Sequence, residues 1–588
     1  MQGSLDIYLS ASILIDTFES EIPRTVPKAG SPSPQPSSYT QYLELWRWVE
    51  QLLWRTIVIA VRISTDELTL SALFRQYFAC SSHWIPSFRP QHRSTVSTLY
   101  LHFVISRAKT AGSSNSDMGT PSWLPEARSV IQEYRSVLDI STKFPRAGER
   151  NFLVEEFVDL CVAIWEASGA VGEHAGWVID VRLFAFPSPT YSNIQTIQTL
   201  WWATRLTFNS HRVFRHMSRL FYVSGDSNLA VRTLRLYVQV VGKALETANA
   251  ETIEKREDRS KSSVEGVQGM DTDRNWVQTL VQGARMLCRI ACSKSGTALG
   301  TTGNGLDEAK EARELIKKAK TRLDENNAEL TASVYLAEGI WHSVMAHKGK
   351  QRKVWCCLSS SFAEQMSLTR PSRLSESLRL CTLAVETFPS APAYYHLALA
   401  LSRAGPSRNI PLAIEHARSA VEQDSSEIRH WHLLGLLLVA TDDWKKAKAV
   451  LEYGAGVSEE RAGDEGLPQT PNGDVPGTPN EKIEGLPPTE SPFIPGLESS
   501  STLLGRDATG IPAASSLLKP LPDHPPPSRR ELFEQALQLR MTQLALVEHA
   551  EGPESAVEKW LEVFAWVASQ QEGSKTGTLR LFLTSINF

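Results

Sequence analysis

One spacing, used twice, decides what this chain can fold into. Tyr394, Leu397, Ala398 and Leu401 stand 3, 1 and 3 residues apart, and Trp431, Leu434, Gly435 and Leu438 repeat the pattern 37 residues later. Positions i, i+3, i+4 and i+7 share one face of an α-helix. Each set runs through a turn into a second helix that carries alanine: Ala413, Ala417 and Ala420 in the first case, Ala447 in the second. Tyr394 and Trp431 are expected to plug the gap between neighbouring helices, while Ala398, Ala420, Gly435 and Ala447 let backbones approach. A single helical hairpin of this kind cannot bury its own apolar face, so it must stack on others. The stretch Leu378–Gly454 therefore demands an all-α superhelix with a concave groove. Such a groove binds other proteins and is not a catalytic architecture.

This is the tetratricopeptide pattern, whose period is about 34 residues, and the excess here fits an insertion of about three residues in the turn Gly405–Pro411. The same offsets recur at Phe214, Met217, Ser218 and Phe221, followed by a Gly225-Asp226 turn and by Ala230 and Leu234. The α-solenoid thus extends well to the N-terminal side. Helices are predicted over Leu68–Cys80, Arg93–Lys109, Leu124–Phe144, Asn151–Ser168, Trp276–Cys292, Leu306–Leu323, Leu330–His347, Arg530–Ala550 and Ser555–Ser569. A further one after Tyr39 is read as packing through Leu45, Trp48, Leu52 and Ile59.

The expected organisation is a disordered N-terminal segment (1–38), an N-terminal helical-repeat region (39–250), a flexible loop (251–274), tetratricopeptide repeats (275–454), a disordered Pro/Ser/Gly-rich insertion (455–530), further repeat helices (531–570) and an atypical tail (571–588). Lys348–Thr369 fits neither neighbouring periodicity and reads as an inserted loop. The 455–530 insertion carries Thr470-Pro471, Thr478-Pro479 and Ser491-Pro492, which suit proline-directed kinases and are equally what any proline-rich segment contains. The tail lacks the polar repeat that closes a solenoid, so the chain reads as a member of a longer array.

The charge of −4, from 61 Lys+Arg and 65 Asp+Glu, argues against a general nucleic-acid binder. The GTTGNG run at 300–305 is not a P-loop, and no GxSxG, HExxH or CxxC occurs. No catalytic residue, metal site or cofactor is expected. Cys80, Cys161, Cys288, Cys292, Cys356, Cys357 and Cys381 read as reduced core thiols. Leu43–Val61 carries Glu44, Arg47, Glu50 and Arg55, more charge than a membrane span tolerates, so membrane contact is expected to be peripheral. One charged constellation stands out: Arg205, Arg212, Arg215 and Arg219, with His211 and His216, precede Gly225, and Arg232 and Arg235 follow it. It reads either as a basic patch for an acidic partner or anionic lipid, or as a helix face with arginine stems packed over aromatics. The groove positions of the clearest repeats hold Tyr395, Leu399, His432, Leu433 and Leu436. The Lys/Asn/Arg clamp that chaperone-binding repeats use on a C-terminal carboxylate is missing there.

Four segments together resemble one family: YLELWRWVEQLLWRTI (42–57), WWATRLTFNSHRVFRHMSRLFYVSGDSNLAVRTLRLYVQVV (201–241), RPSRLSESLRLCTLAVETFPSAPAYYHLALALSR (370–403) and RELFEQALQLRMTQLALVE (530–548). They look like the fungal branch of the tetratricopeptide repeat protein seven family, the cargo-transport or filamentation proteins, and the likeness covers most of 39–570. The resemblance implies a non-enzymatic scaffold that bridges the type III phosphatidylinositol 4-kinase to a lipid-anchored helical-repeat protein at the plasma membrane. Phosphatidylinositol 4-phosphate synthesis and endocytosis would depend on it, and the chain would be cytoplasmic and peripheral at that membrane. The alternative is a generic tetratricopeptide adaptor for a chaperone or ubiquitin-system client. The termini and Lys348–Thr369 depart from the family's pattern, whose members are usually longer at both ends.

Overall fold

The structure, a computed structural model, describes residues 3, 5–11, 43–63, 66–81, 84, 87–111, 123–146, 148–169, 199–257, 271–293, 305–324, 326–352, 370–463, 513–519, 521, 526–527 and 529–572. Among the described residues there is no strand. The helices pair in chain order as hairpins: α1 (Leu43–Ile63) with α2 (Glu67–Ser81), α3 (Pro90–Ala111) with α4 (Leu124–Ser141), α5 (Phe152–Ala167) with α6 (Thr199–Leu206), and α7 (His211–Val223) with α8 (Ser227–Glu257). The series continues with α9 (Asp273–Ser293) and α10 (Leu306–Lys320), α11 (Ala328–Arg352) and α12 (Arg370–Thr387), α13 (Ala391–Ser402) and α14 (Ile410–Gln423), α15 (Ile428–Val439) and α16 (Trp444–Gly463), and α17 (Arg529–Glu551) and α18 (Pro553–Glu572). First helices of successive hairpins also touch, from α1 through α3 and α5 to α7, and from α9 through α11, α13 and α15 to α17. Contact of α8 with α9 joins the two runs. The chain is an all-α tetratricopeptide-type superhelix with its odd-numbered helices side by side.

Local chemistry sets the helix ends. Asn151 accepts hydrogen bonds from the N–H groups of Leu153 and Val154 and starts α5; Asn409 accepts from Leu412 N–H and starts α14. At the end of α7, Gly225 takes a φ of 91°, which a residue without a Cβ adopts at no steric cost. The Asp226 N–H then returns to the Phe221 carbonyl at 2.9 Å, and the Asp226 carboxylate accepts from Leu229 N–H at 3.0 Å. One Gly-Asp pair thus closes α7 and opens α8.

Two main cores run through the array, one from α1 to α11 and one from α11 to α17. Helix α11 serves both, giving Val334 and Ala337 to the first and Ala332 and Leu336 to the second. Small residues bring the paired helices close: Ala413, Ala417 and Ala420 on α14 are buried. On α15, a Cβ added to Gly435 would stand 2.5 Å from Leu451 Cδ2 of α16.

Several sequence expectations are corrected. Helix α1 turns a different face to the core: Leu45 and Trp48 are 43% and 68% exposed, and Trp46, Val49, Leu53, Ile57 and Ala60 are buried. The buried Glu50 secures that register by accepting from Tyr77 Oη at 3.0 Å and from Arg89 at 2.6 Å. Residues 5–11 are helical, with Leu5 in the core, inside the segment expected to be disordered. Helix α8 runs to Glu257 because its last turns, ALETANAETIEKRE, are built largely of good helix formers. Helix α11 enters the expected inserted loop as far as Arg352. Within 455–530, α16 reaches Gly463, and Ala514–Leu517 form a packed 3₁₀ turn. The remaining parts of those segments lie outside the described residues, as do 573–588, the Thr-Pro and Ser-Pro sites, residues 300–304, Cys356 and Cys357.

Candidate functional site

Helix α5 is apolar on nearly every side from Val154 to Trp165, which suits an element buried among its neighbours. Yet it carries Glu155, Asp159 and Glu166, none more than 2% exposed. Charges so buried must be paired, and much of the pairing comes from α7. Arg212 lies 3.4 Å from Asp159, whose other oxygen meets His216 Nε2 at 3.0 Å. Arg219 pairs with Glu166, and its guanidinium sits 5.0 Å from the Trp165 ring centre. Arg215 turns the other way, to Asp271 at 3.3 Å. Asp271 also accepts from Tyr237 Oη at 2.8 Å and from the Asn275 side-chain amide at 3.0 Å. Arg150, just before α5, closes on Glu155 through bonds of 2.8 and 2.6 Å.

Burial alone would raise the pKa values of Asp159 and Asp271. At Asp159 the His216 hydrogen bond and the Arg212 and Arg215 charges overcome it; at Asp271 the Arg215 and His211 charges do so. Both carboxyls titrate below the ordinary carboxylate range. Burial drives the His211 imidazole down to about 4, and lowers His216 despite the opposing pull of Asp159. Both rings are therefore neutral at neutral pH.

This geometry disperses the charged cluster that the sequence left open between a basic patch and a packed helix face. Arg215 and Arg219 are buried. Arg212 points inward, and Arg235 binds Glu311 of α10 at 2.7 Å. Arg205 and Arg232 stay at the surface. The α7 cations mainly hold hairpins together. The signal for them lay in the partner helix, where four acids, Glu155, Glu156, Asp159 and Glu166, stand in an otherwise apolar run.

In the clearest repeats, Leu397, Ala398, Ala413, Ala420, Leu434, Gly435 and Ala447 are all buried. Tyr394 and Trp431 are half-buried. Tyr394 stacks on His416 with ring centres 5.7 Å apart, and Trp431 on Tyr453 at 5.9 Å. The Trp431 Nε1 donates to the Ser425 carbonyl at 2.7 Å. At the groove positions, Leu399 is half-buried, Leu433 is buried, Leu436 is exposed, and Tyr395 lies 5.8 Å beneath the Arg429 guanidinium. His432 meets Thr542 of α17 at 2.8 Å. Further toward the N-terminus, the row of odd-numbered helices is partly covered by the chain itself. The turn Ala514–Leu517 is seated on α3 and α5, with Ala514 and Leu517 in the core.

No protein-family model matches the chain, and no curated protein matches it. Solved structures similar to it include the TPR2AB-domain–pHSP90 complex of yeast Sti1, at 16% identity over 46% of this chain and 86% of that one, with a TM-score of 0.15. Yeast Tom70 is similar at 12% identity over 72% and 92%, with a TM-score of 0.22. The APC/C hetero-tetramer Cut9–Hcn1 is similar at 10% identity over 96% and 93%, with a TM-score of 0.20. Likeness at this level carries no function across. Among the described residues, no group of three or more His, Cys, Asp or Glu is placed to hold a metal ion, and no helix is long and apolar enough to cross a membrane.

Proposed function

We propose that this protein is a non-enzymatic scaffold that helps recruit a phosphatidylinositol 4-kinase to the plasma membrane and so supports endocytosis and cargo transport. The observation that carries the scaffold reading is the stack of hairpins with odd-numbered helices side by side. A surface of that length and shape is one that other polypeptides fill. The choice of partners, the type III kinase and a lipid-anchored helical-repeat protein, rests on the family likeness of 42–57, 201–241, 370–403 and 530–548. Contact with the membrane is peripheral and made through these partners, and the protein is cytoplasmic. The full chain, immobilised by a tag, is expected to retain the kinase from a cell lysate and to carry it to vesicles that bear the lipid-anchored partner. Repeated recovery of no phosphatidylinositol 4-kinase removes this reading.

A further inference from the structure

We infer that the face of α3 and α5 is a binding site for a short extended peptide. Residues 513–519 are its tethered occupant, exchangeable for a partner segment of the same chemistry: a small residue, a leucine three positions later, and a lysine two beyond that.

The chain order is the first observation. The helices from α1 to α18 stack on their neighbours in sequence, and α17 packs on α15 and α16 without help from this turn, although Glu531 in its first turn also reaches Tyr222 and Arg289. The 513–519 segment instead leaves the series and returns to residues 353 and 408 positions earlier. A four-residue 3₁₀ turn flanked by extended Ala513 and Leu518 has too few internal hydrogen bonds to hold itself. Its conformation comes from the surface it lies on.

The contacts are the second observation, and they are those of peptide recognition, mostly to main chain. The Ala514 main chain lies beside Glu156 and draws its carboxyl down against the rise that burial causes. The Leu517 carbonyl accepts from Lys109 Nζ at 2.9 Å. The Lys519 N–H donates to Glu166 Oε2 at 2.7 Å, and Lys519 Nζ donates to the Glu166 carbonyl at 3.2 Å. Side chains add the selection: Ala514 is 1% exposed, so nothing much larger fits there, and Leu517 enters the same core. Glu166 is already fixed through its other oxygen by Arg219. The acceptor is thus in place before the peptide arrives, which lowers the cost of binding.

The test uses the full chain and a fluorescent peptide with the sequence of residues 511–521. Ala514→Asp/Leu517→Asp evicts the internal segment. The double variant is expected to bind the peptide at least tenfold more tightly than the wild type, in which the tethered segment competes at high effective concentration. A peptide carrying the same two substitutions should bind neither chain. A concentration-dependent dimer of the wild type that the double variant loses also supports the proposal, as the same site filled between two copies. Equal affinity for both chains overturns it, and so does an absence of binding to a double variant with wild-type helicity and Tm. If the double variant unfolds, hydrogen exchange on the wild type decides. The 513–519 amides should exchange at least tenfold faster than those of α5, and exchange of both at one rate makes the segment an integral part of the core. Peptide capture and kinase recruitment fail separately, since no kinase is present in either measurement.

Discussion

Glu166 meets three groups at once: Arg219, the Lys519 main chain and the Lys519 ammonium, which reaches its carbonyl. Removing Arg219 would leave a buried carboxylate facing an apolar helix. Breaking a buried pair from one side costs about 3–5 kcal/mol, whereas replacing both partners with apolar or neutral groups is often close to neutral. Arg219→Ala is therefore expected to lower the denaturant midpoint sharply, and Arg219→Met with Glu166→Gln to recover most of the loss. Equal losses in the two proteins would show that the ion pair is not what the site needs. A second residue-scale effect concerns pH. Burial pushes His102 down to about 4 from its ordinary 6.5. In the unfolded chain it takes up a proton as the pH falls through about 6.5; in the folded chain it does so only near 4. Between those values the unfolded state binds more protons, so stability falls with falling pH, by on the order of 3 kcal/mol across the window. His211 adds a loss of the same sign. Replacing His102 with Leu is expected to flatten the stability curve between pH 6.5 and 4 by about one proton's worth of slope.

At the scale of elements, the second helices of the hairpins, α14 and α16, were readable because alanine at helical spacing has one physical use there, close approach, and Ala413, Ala417, Ala420 and Ala447 are all buried. The Gly435 position shows how tight that approach is. Its substitution by Ala would gain up to about 1 kcal/mol of helix propensity, but the new Cβ meets Leu451 Cδ2 at 2.5 Å and Cγ at 2.7 Å. Overpacking of that kind costs about 1–3 kcal/mol, so Gly435→Ala is expected to lower Tm slightly rather than raise it. Trp431 moves the other way. As a fully buried plug its truncation would cost roughly 3–5 kcal/mol, but it is half-buried and stacked on the exposed Tyr453. About 1–2 kcal/mol is expected for Trp431→Ala, in proportion to the area it covers. The face of α1 was not readable in the same way. Leu45 and Trp48 fit an apolar stripe as well as Trp46 and Val49 do. Glu50 decides the register only once Tyr77 and Arg89 arrive from elsewhere. The basic run on α7 has the same lesson: its meaning is set by carboxylates more than 50 residues away, which no local periodicity reports.

Over the whole molecule, stacking in chain order would let the two ends of the superhelix stand apart, and contacts made by Lys519 and Glu531 work against that. Lys519 ties back to α5, and Glu531, in the first turn of α17, accepts from Tyr222 Oη of α7 at 3.0 Å and lies 3.9 Å from Arg289 of α9. Glu531 thus spans from a late hairpin to two early ones. A lysine in its place would put two cations near 4 Å apart, a repulsion of about 1 kcal/mol in water and about 4 kcal/mol at the dielectric of a protein surface. The hydrogen bond from Tyr222, worth about 1 kcal/mol, would go as well. Glutamine keeps a carbonyl acceptor for Tyr222 and removes only the charge. Glu531→Lys is therefore expected to raise the radius of gyration measured by small-angle X-ray scattering with no change in helical content by circular dichroism, and Glu531→Gln to leave both unchanged. An unchanged radius in Glu531→Lys would mean that the hairpin stack alone fixes the curvature. An increase in both variants would put the restraint in the charge pair with Arg289 rather than in the bond to Tyr222.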